Sequence, residues 1–194
     1  MVLSGSSIAI IGAGSVGSAI AQALLLRRLV AEIILVDLNK ELCSAQVQDL
    51  SDATYLYNVR IRQGDYLDAS QADIIIITAG AKQRPEDTRL DLIDRNFKIL
   101  ESVLRAMKPI HLDAILILVA NPVDILTYFA QQLSGLPQNQ VLGSGTLLDS
   151  TRLRGILARK LDVSYSNPYA SSPPCPVLIC VTGCRHCNQC ICAR

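Results

Sequence analysis

Along most of the chain, short apolar runs alternate with stretches in which apolar positions recur at helical spacing. Ile8 to Ile11 reads as a buried strand and Ser15 to Arg28 as a helix. Ile33 to Val36 is a second strand, Lys40 to about Tyr55 a helix, and Val59 to Gln63 a short third strand. Ile74 to Thr78 opens with four consecutive isoleucines and reads as a fourth. A long helix is predicted over Asp91 to Met107, a strand over Ala114 to Val119 and a helix over Val123 to Leu133. Gln140 to Leu142 is a short strand and Leu148 to Leu161 a last helix. Near-continuous β-branched and aliphatic runs mark strands covered on both faces, as in parallel sheets. Strand–helix alternation over about 160 residues predicts a doubly wound α/β sheet.

Composition narrows the class without changing that picture. The chain has 194 residues, half of them hydrophobic and none of them Trp, so a core of Ile, Leu, Val and Ala is affordable in size. A net charge of +1 gives no basic surplus for a nucleic-acid surface. Runs such as Ala114 to Ala120 are too short to span a membrane, and the N-terminus does not read as a signal peptide. Cys43 is the one cysteine before residue 175, which fits a reducing compartment. The expectation is a soluble, cytoplasmic protein that binds neither nucleic acid nor membrane.

The character changes near Val163. Residues 163–194 contain no Asp or Glu, two Arg, four of the eight prolines and six of the seven cysteines. "SYSNPYASSPPCP" has neither helical nor strand period. The expected organisation is therefore a domain over residues 1–163 and an irregular Cys/Pro-rich tail over 164–194.

The first chemistry lies in "GAGSVG", where Gly12, Gly14 and Gly17 follow a strand and open a helix. Gly12 permits a tight turn, Gly14 lets backbone approach a pyrophosphate, and Gly17 allows close helix–strand packing. The helix start offers N–H groups and a positive dipole end to phosphates. Asp37, twenty residues after Gly17, ends the second strand and can accept hydrogen bonds from ribose hydroxyls. A carboxylate there repels a 2′-phosphate, so NAD is expected over NADP. This is a Rossmann-type dinucleotide-binding pattern, and a tight turn with a solvated Asp is the plainer alternative.

Four further stretches carry a specific resemblance: "VDLNKE" (36–41), "ITAGAKQRPEDTRLDLIDRN" (77–96), "VANPVDILTY" (119–128) and "LGSGTLLDSTRLR" (142–154). With the glycine loop they resemble NAD-dependent L-lactate dehydrogenases of the lactate/malate dehydrogenase family, over roughly residues 5–165. The resemblance implies that Gly12, Gly14, Val16, Gly17, Asp37, Tyr66, Gly80, Ala81, Asn96, Val119, Asn121 and Ser144 bind the cofactor. It implies that Gln83 discriminates substrates, Arg89 polarises the substrate carbonyl, and Asn121 also bonds the substrate oxygen. It implies that Asp149 orients a catalytic histidine and Arg152 clamps the substrate carboxylate. Arg154 resembles an allosteric sugar-bisphosphate position of some bacterial members. The implied substrate is a small 2-hydroxy or 2-keto acid, no metal is called for, and the family assembles as homo-oligomers.

Elementary chemistry agrees with these roles. A planar guanidinium matches a carboxylate bidentately, and a second cation can meet a developing alkoxide. Asp149 and Arg152, three apart, share a helix face. Judged singly, each arginine also reads as an ordinary surface charge. Malate dehydrogenases resemble the same loop with an arginine where Gln83 stands. A neutral glutamine leaves a second substrate carboxylate without a charge partner, which favours lactate and pyruvate over malate and oxaloacetate.

The family's base, a histidine beyond the helix carrying Asp149 and Arg152, has no counterpart in the pattern. The chain has two histidines. His111 precedes a strand, away from the carboxyl ends where ligands bind, and His186 lies among the tail cysteines. The expectation is a family pattern that stops near "LDVSYSNPYA", joined to an unrelated tail. A lost general base costs about 10²- to 10⁴-fold in rate. Three readings stay open: an L-lactate dehydrogenase by ancestry, a catalytically inactive NAD-binding or interaction protein, and a zinc module built on Cys184, Cys187 and Cys190. The last is disfavoured because structural zinc sites usually place two ligand pairs around a folded loop.

Overall fold

The protein was analysed as a computed structural model that describes residues 6–54, 59–81 and 88–161. They fall in two compact units, divided after Gly143.

The first unit is built on a six-stranded, all-parallel sheet. Its strands are β1 (Ser7–Ile11), β2 (Glu32–Val36), β3 (Arg60–Gln63), β4 (Ile74–Ile77), β5 (Ile115–Leu118) and β6 (Val141–Gly143), ordered β3-β2-β1-β4-β5-β6. The helices between them are α1 (Ser15–Arg27), α2 (Lys40–Asp52), α3 (Tyr66–Ser70), α4 (Arg89–Ala106) and α5 (Val123–Leu133).

Register explains why the central strands β1, β2, β4 and β5 are nearly continuous apolar runs. Ile10 pairs with Leu35 on one side and Ile76 on the other, and Ile11 with Val36 and Ile77. Ile11, Val36, Ile77 and Leu118 point to the layer formed by α3, α4 and α5, against Ala69, Leu100, Leu104 and Leu126. Ile10, Leu35 and Ile76 point the other way, against Ala21, Leu25, Cys43 and Leu50 of α1 and α2. Each isoleucine buried this completely contributes roughly 1.5–3 kcal/mol, so both faces need apolar side chains.

The expected doubly wound sheet is the fold found, with its ends adjusted by local chemistry. α4 begins at Arg89 rather than Asp91, because Thr88 and Asp91 form a reciprocal capping box. The first helix ends at Arg27, with Arg28 in the left-handed region at φ 52° as its cap. The last short strand is Val141–Gly143 rather than Gln140 to Leu142, since Gln138–Gln140 forms a 3-10 turn. Five-residue α3 was not expected; Asp65 and Asp68 cap it reciprocally. Tyr55, the expected end of the second helix, lies outside the described residues. In the second unit, α6 runs over Leu147–Leu161.

Candidate functional site

All strands of a parallel sheet end on one edge, and the order reverses between β1 and β4. That edge is where such sheets open a ligand crevice.

The turn after β1 is tight and tied down. Gly12 has φ +107°, a conformation that favours glycine. Its N–H donates to the Val36 carbonyl at 2.7 Å. A Cβ on Gly17 would overlap the Gly12 carbonyl oxygen, so the helix can approach the strand only without a side chain there. Gly14 differs, because a Cβ added to it would meet nothing within 4 Å. It is the N-cap of α1, and no side chain closes that helix start. By contrast Asn39, Asp65 and Thr88 cap α2, α3 and α4 with their own side chains. Val16, in the first turn of α1, is half exposed. Thr78 was not foreseen as part of this loop. Its hydroxyl donates toward the Gly12 carbonyl at 2.9 Å and the Ile11 carbonyl at 3.1 Å. The signal available in the sequence was a lone hydroxyl ending a run of four isoleucines.

Asp37 follows β2 directly. One carboxylate oxygen accepts from the Ala13 N–H at 2.7 Å and the other from the Asn39 N–H at 2.8 Å. The group is held against the glycine loop, and each oxygen keeps acceptor capacity for a further donor. Tyr66 opens α3 nearby. Burial, and then the Asp37 carboxylate, push its phenol above the usual value. Cys43 is fully buried and its thiol donates to the Leu35 carbonyl at 3.4 Å. Burial, then Asp37, also raise this thiol, so it stays protonated and acts as core.

The loops after β4 and β5 lie beside each other. Asn96, on α4, is 3% exposed. Its side-chain oxygen accepts from the Ala81 N–H at 2.7 Å, and its NH₂ donates to the Asn121 carbonyl at 2.5 Å. A Cβ on Gly80 would sit 3.3 Å from the Ala120 methyl. The Val119 N–H donates to the Ile77 carbonyl at 3.0 Å, continuing the ladder to the loop. Asn121 itself is exposed. Gly80, Ala81, Asn96, Val119 and Asn121 are thereby gathered at the same edge. Gln83 lies outside the described residues, and Arg89 is the first residue of α4.

In the second unit, Ser144 precedes α6, and Asp149 and Arg152 sit one turn apart on that helix. Their side chains meet at 3.4 Å and are 73% and 66% exposed. Arg154 is also exposed.

The opposite edge of the sheet holds His111. Its backbone N–H donates to the Ser70 carbonyl at 2.8 Å, ahead of β5. It therefore stands at the amino-terminal edge, as its place in the sequence implied. A cleft of about 370 Å³ beside α3 is lined by Ser7, Glu32, Arg62 and Asp68 among others. Its charges answer one another: Arg62 meets Glu32 at 3.0 Å and Asp68 at 3.1 Å. No group of three or more metal-ligating side chains occurs among the described residues. The tail cysteines and His186 lie outside them. No helix among the described residues is long and apolar enough to cross a membrane.

The crevice edge suits a dinucleotide. The open space at Gly14 and the uncapped start of α1 suit a pyrophosphate. The anchored Asp37 carboxylate suits a ribose diol.

Comparison with known proteins agrees. Residues 6–143 match the lactate/malate dehydrogenase, NAD binding domain. The chain is 52% identical to L-lactate dehydrogenase A of Rhizopus oryzae over 165 residues, which is 85% of this chain and 52% of that protein. It is 45% identical to an L-lactate dehydrogenase of Clostridium perfringens over 163 residues, covering 84% of this chain and 51% of the relative. Among solved structures, the minor L-lactate dehydrogenase of Enterococcus mundtii in a ligands-bound form superposes with a TM-score of 0.78 at 38% identity. That match covers 83% of this chain and 52% of the other. The chain thus spans about half the length of the relatives it matches. A parallel sheet with an open helix start at its switch point and a carboxylate after β2 accords with these matches, and the chain belongs to the lactate/malate dehydrogenase family through its NAD-binding domain.

Proposed function

We propose that this chain binds NAD(H) at the carboxyl edge of its sheet and carries the cofactor-side half of an L-lactate dehydrogenase site. The observation that carries the reading is the Asp37 carboxylate, fixed by Ala13 and Asn39 beside the open start of α1. Bound NAD would supply the redox chemistry by accepting or giving a hydride. The chain's residues bind and orient. Ala13, Gly14 and the first turn of α1 meet the phosphates, and Asp37 takes the ribose hydroxyls. Asn121 aligns the substrate oxygen, Arg89 polarises it, Arg152 holds the substrate carboxylate and Gln83 selects lactate or pyruvate. The neutral Gln83 disfavours a malate dehydrogenase activity, because a second carboxylate would be desolvated without a partner.

A second reading concerns this chain alone. His111 stands on the amino-terminal edge, so no histidine among the described residues of the sheet unit reaches the ligand edge. Under this reading the chain by itself binds NAD and turns over little substrate, with residues 1–163 as the working region and 164–194 as a tail of separate character.

Titration with NADH and NADPH tests the cofactor reading. Binding of NADH in preference is the expected result, and equal or tighter NADPH binding removes Asp37 from its role. A fusion of a family C-terminal half after Asp162 tests the catalytic reading. Pyruvate reduction should appear in the fusion and be weak without it. Gln83→Arg in the fusion should move preference toward oxaloacetate.

A further inference from the structure

We propose that Asn96 is a positioning residue: it sets the spacing of the loops after β4 and β5 and so fixes the nicotinamide side of the site independently of the adenosine side. The proposal rests on the NAD-binding reading. Resemblance to the family put Asn96 among cofactor contacts. In the structure both ends of its amide bond to backbone. The oxygen takes the Ala81 N–H at 2.7 Å and the NH₂ gives to the Asn121 carbonyl at 2.5 Å.

This task needs an amide. One end must accept and the other donate, over the length of a single short side chain. An ionised carboxylate of the same size can accept from Ala81 but cannot donate to Asn121. The side chain is nearly buried, so water is a poor substitute for either bond. Contact between the loops adds to the constraint, since Gly80 faces the Ala120 methyl and the Asn96 oxygen at 3.3 and 3.5 Å from where a Cβ would stand. α4 supplies the rigid mount. Its Leu100, Val103 and Leu104 are buried under the sheet one to two turns later.

The adenosine side has ties that do not pass through Asn96, Thr78 joining the start of the loop after β4 to Ile11 and Gly12. Gly12 is held by Val36, and Asp37 by Ala13 and Asn39, with no part for Asn96. Loss of the amide should therefore loosen one half of the crevice and leave the other intact.

The test uses the full chain with NADH and ADP as paired probes. Asn96→Ala should weaken NADH binding about tenfold, the order expected for a lost buried hydrogen bond, and leave ADP affinity unchanged. Asn96→Asp adds a readout that general destabilisation does not mimic. Burial raises the new carboxyl's pKa. Once protonated, it can donate to Asn121 and accept from Ala81. NADH affinity of this variant should rise as pH falls through that pKa, while ADP affinity stays flat. Neither the wild type nor Asn96→Ala should show that step. The Asp variant carries the test alone if the Ala variant does not fold. Parallel loss of NADH and ADP binding, wild-type NADH affinity in Asn96→Ala, or an Asp variant without the pH step would overturn the proposal. A wild-type chain that binds ADP but not NADH removes the proposed function instead.

Discussion

At the amino-terminal edge of the sheet, Asp73 accepts from the Ser7 N–H at 2.7 Å and the Ser7 hydroxyl at 3.0 Å. Nearby, Arg62 joins Glu32 and Asp68. At the carboxyl-terminal edge, each Asp37 oxygen accepts one backbone N–H, from Ala13 and from Asn39, and α1 starts without a side-chain cap. The same residue types thus serve two ends. On one edge they close on each other and fasten strands. On the other they are fixed by backbone beside a helix start that no side chain closes. A cleft is present at the first edge, yet it is the second that has the geometry for a ligand. Concavity alone does not mark a site; pre-oriented polar groups beside an open helix start do.

The contrast can be broken most severely at the glycine loop. Gly17→Ala places a methyl on the Gly12 carbonyl, and should cost about 3 kcal/mol of stability and abolish NADH binding. Gly14→Ala faces open space, so stability should move by no more than about 1 kcal/mol while NADH binding still weakens. Urea unfolding and NADH fluorescence on both variants separate the two effects. Equal destabilisation by the two would show that Gly14 is held for folding rather than for a ligand.

Next in size, Asp37→Ser should weaken NADH roughly 10- to 100-fold, the range for hydrogen bonds to a charged group, and narrow the gap to NADPH. Competition titrations measure it, and an unchanged NADH/NADPH ratio would count against a ribose-reading role.

The amino edge should respond in stability alone. Asp73→Asn should lose roughly 1 kcal/mol with NADH affinity unchanged. Hydrogen bonds, first from the Ser7 N–H, hold the Asp73 carboxyl below the usual carboxylate range. A depressed folded-state pKa means that its contribution is present above the unfolded value near 4 and is lost as pH falls through the lower folded value. The stability advantage of the wild type over Asp73→Asn should accordingly be full at neutral pH and shrink as pH falls below about 4, a pH dependence that the Asn variant lacks. The smallest effect is expected from Arg62→Ala, less than about 1 kcal/mol because the ion pairs are near the surface. An NADH-binding defect in either variant would erase the distinction between the edges.

Much of this fold is legible in the amino-acid sequence. Strand positions could be read because parallel strands buried on both faces must be continuously apolar, as Ile74–Ile77 is. The glycine loop and Asp37 could be read because their spacing is tied to one strand–turn–helix and one following strand. Thr78 and α3 were not, because one hydroxyl or one turn of helix makes no period. The resemblance implies that Asn96 contacts the cofactor; its bonds to Ala81 and Asn121 join residues 15 and 25 positions away, a span that no local pattern encodes.

The sequence by itself determined the sheet's strands, the glycine turn and the acid that follows β2, since each depends on neighbours within a few residues or on burial demanded by the strand itself. Only the tertiary structure decided which polar groups fasten one strand to another and which stand beside the open helix start at the ligand edge. Asp73 and Asp37 are the same residue type at strand ends, and they differ because folding brings Ser7 to close on one and a backbone turn with an open helix start to the other.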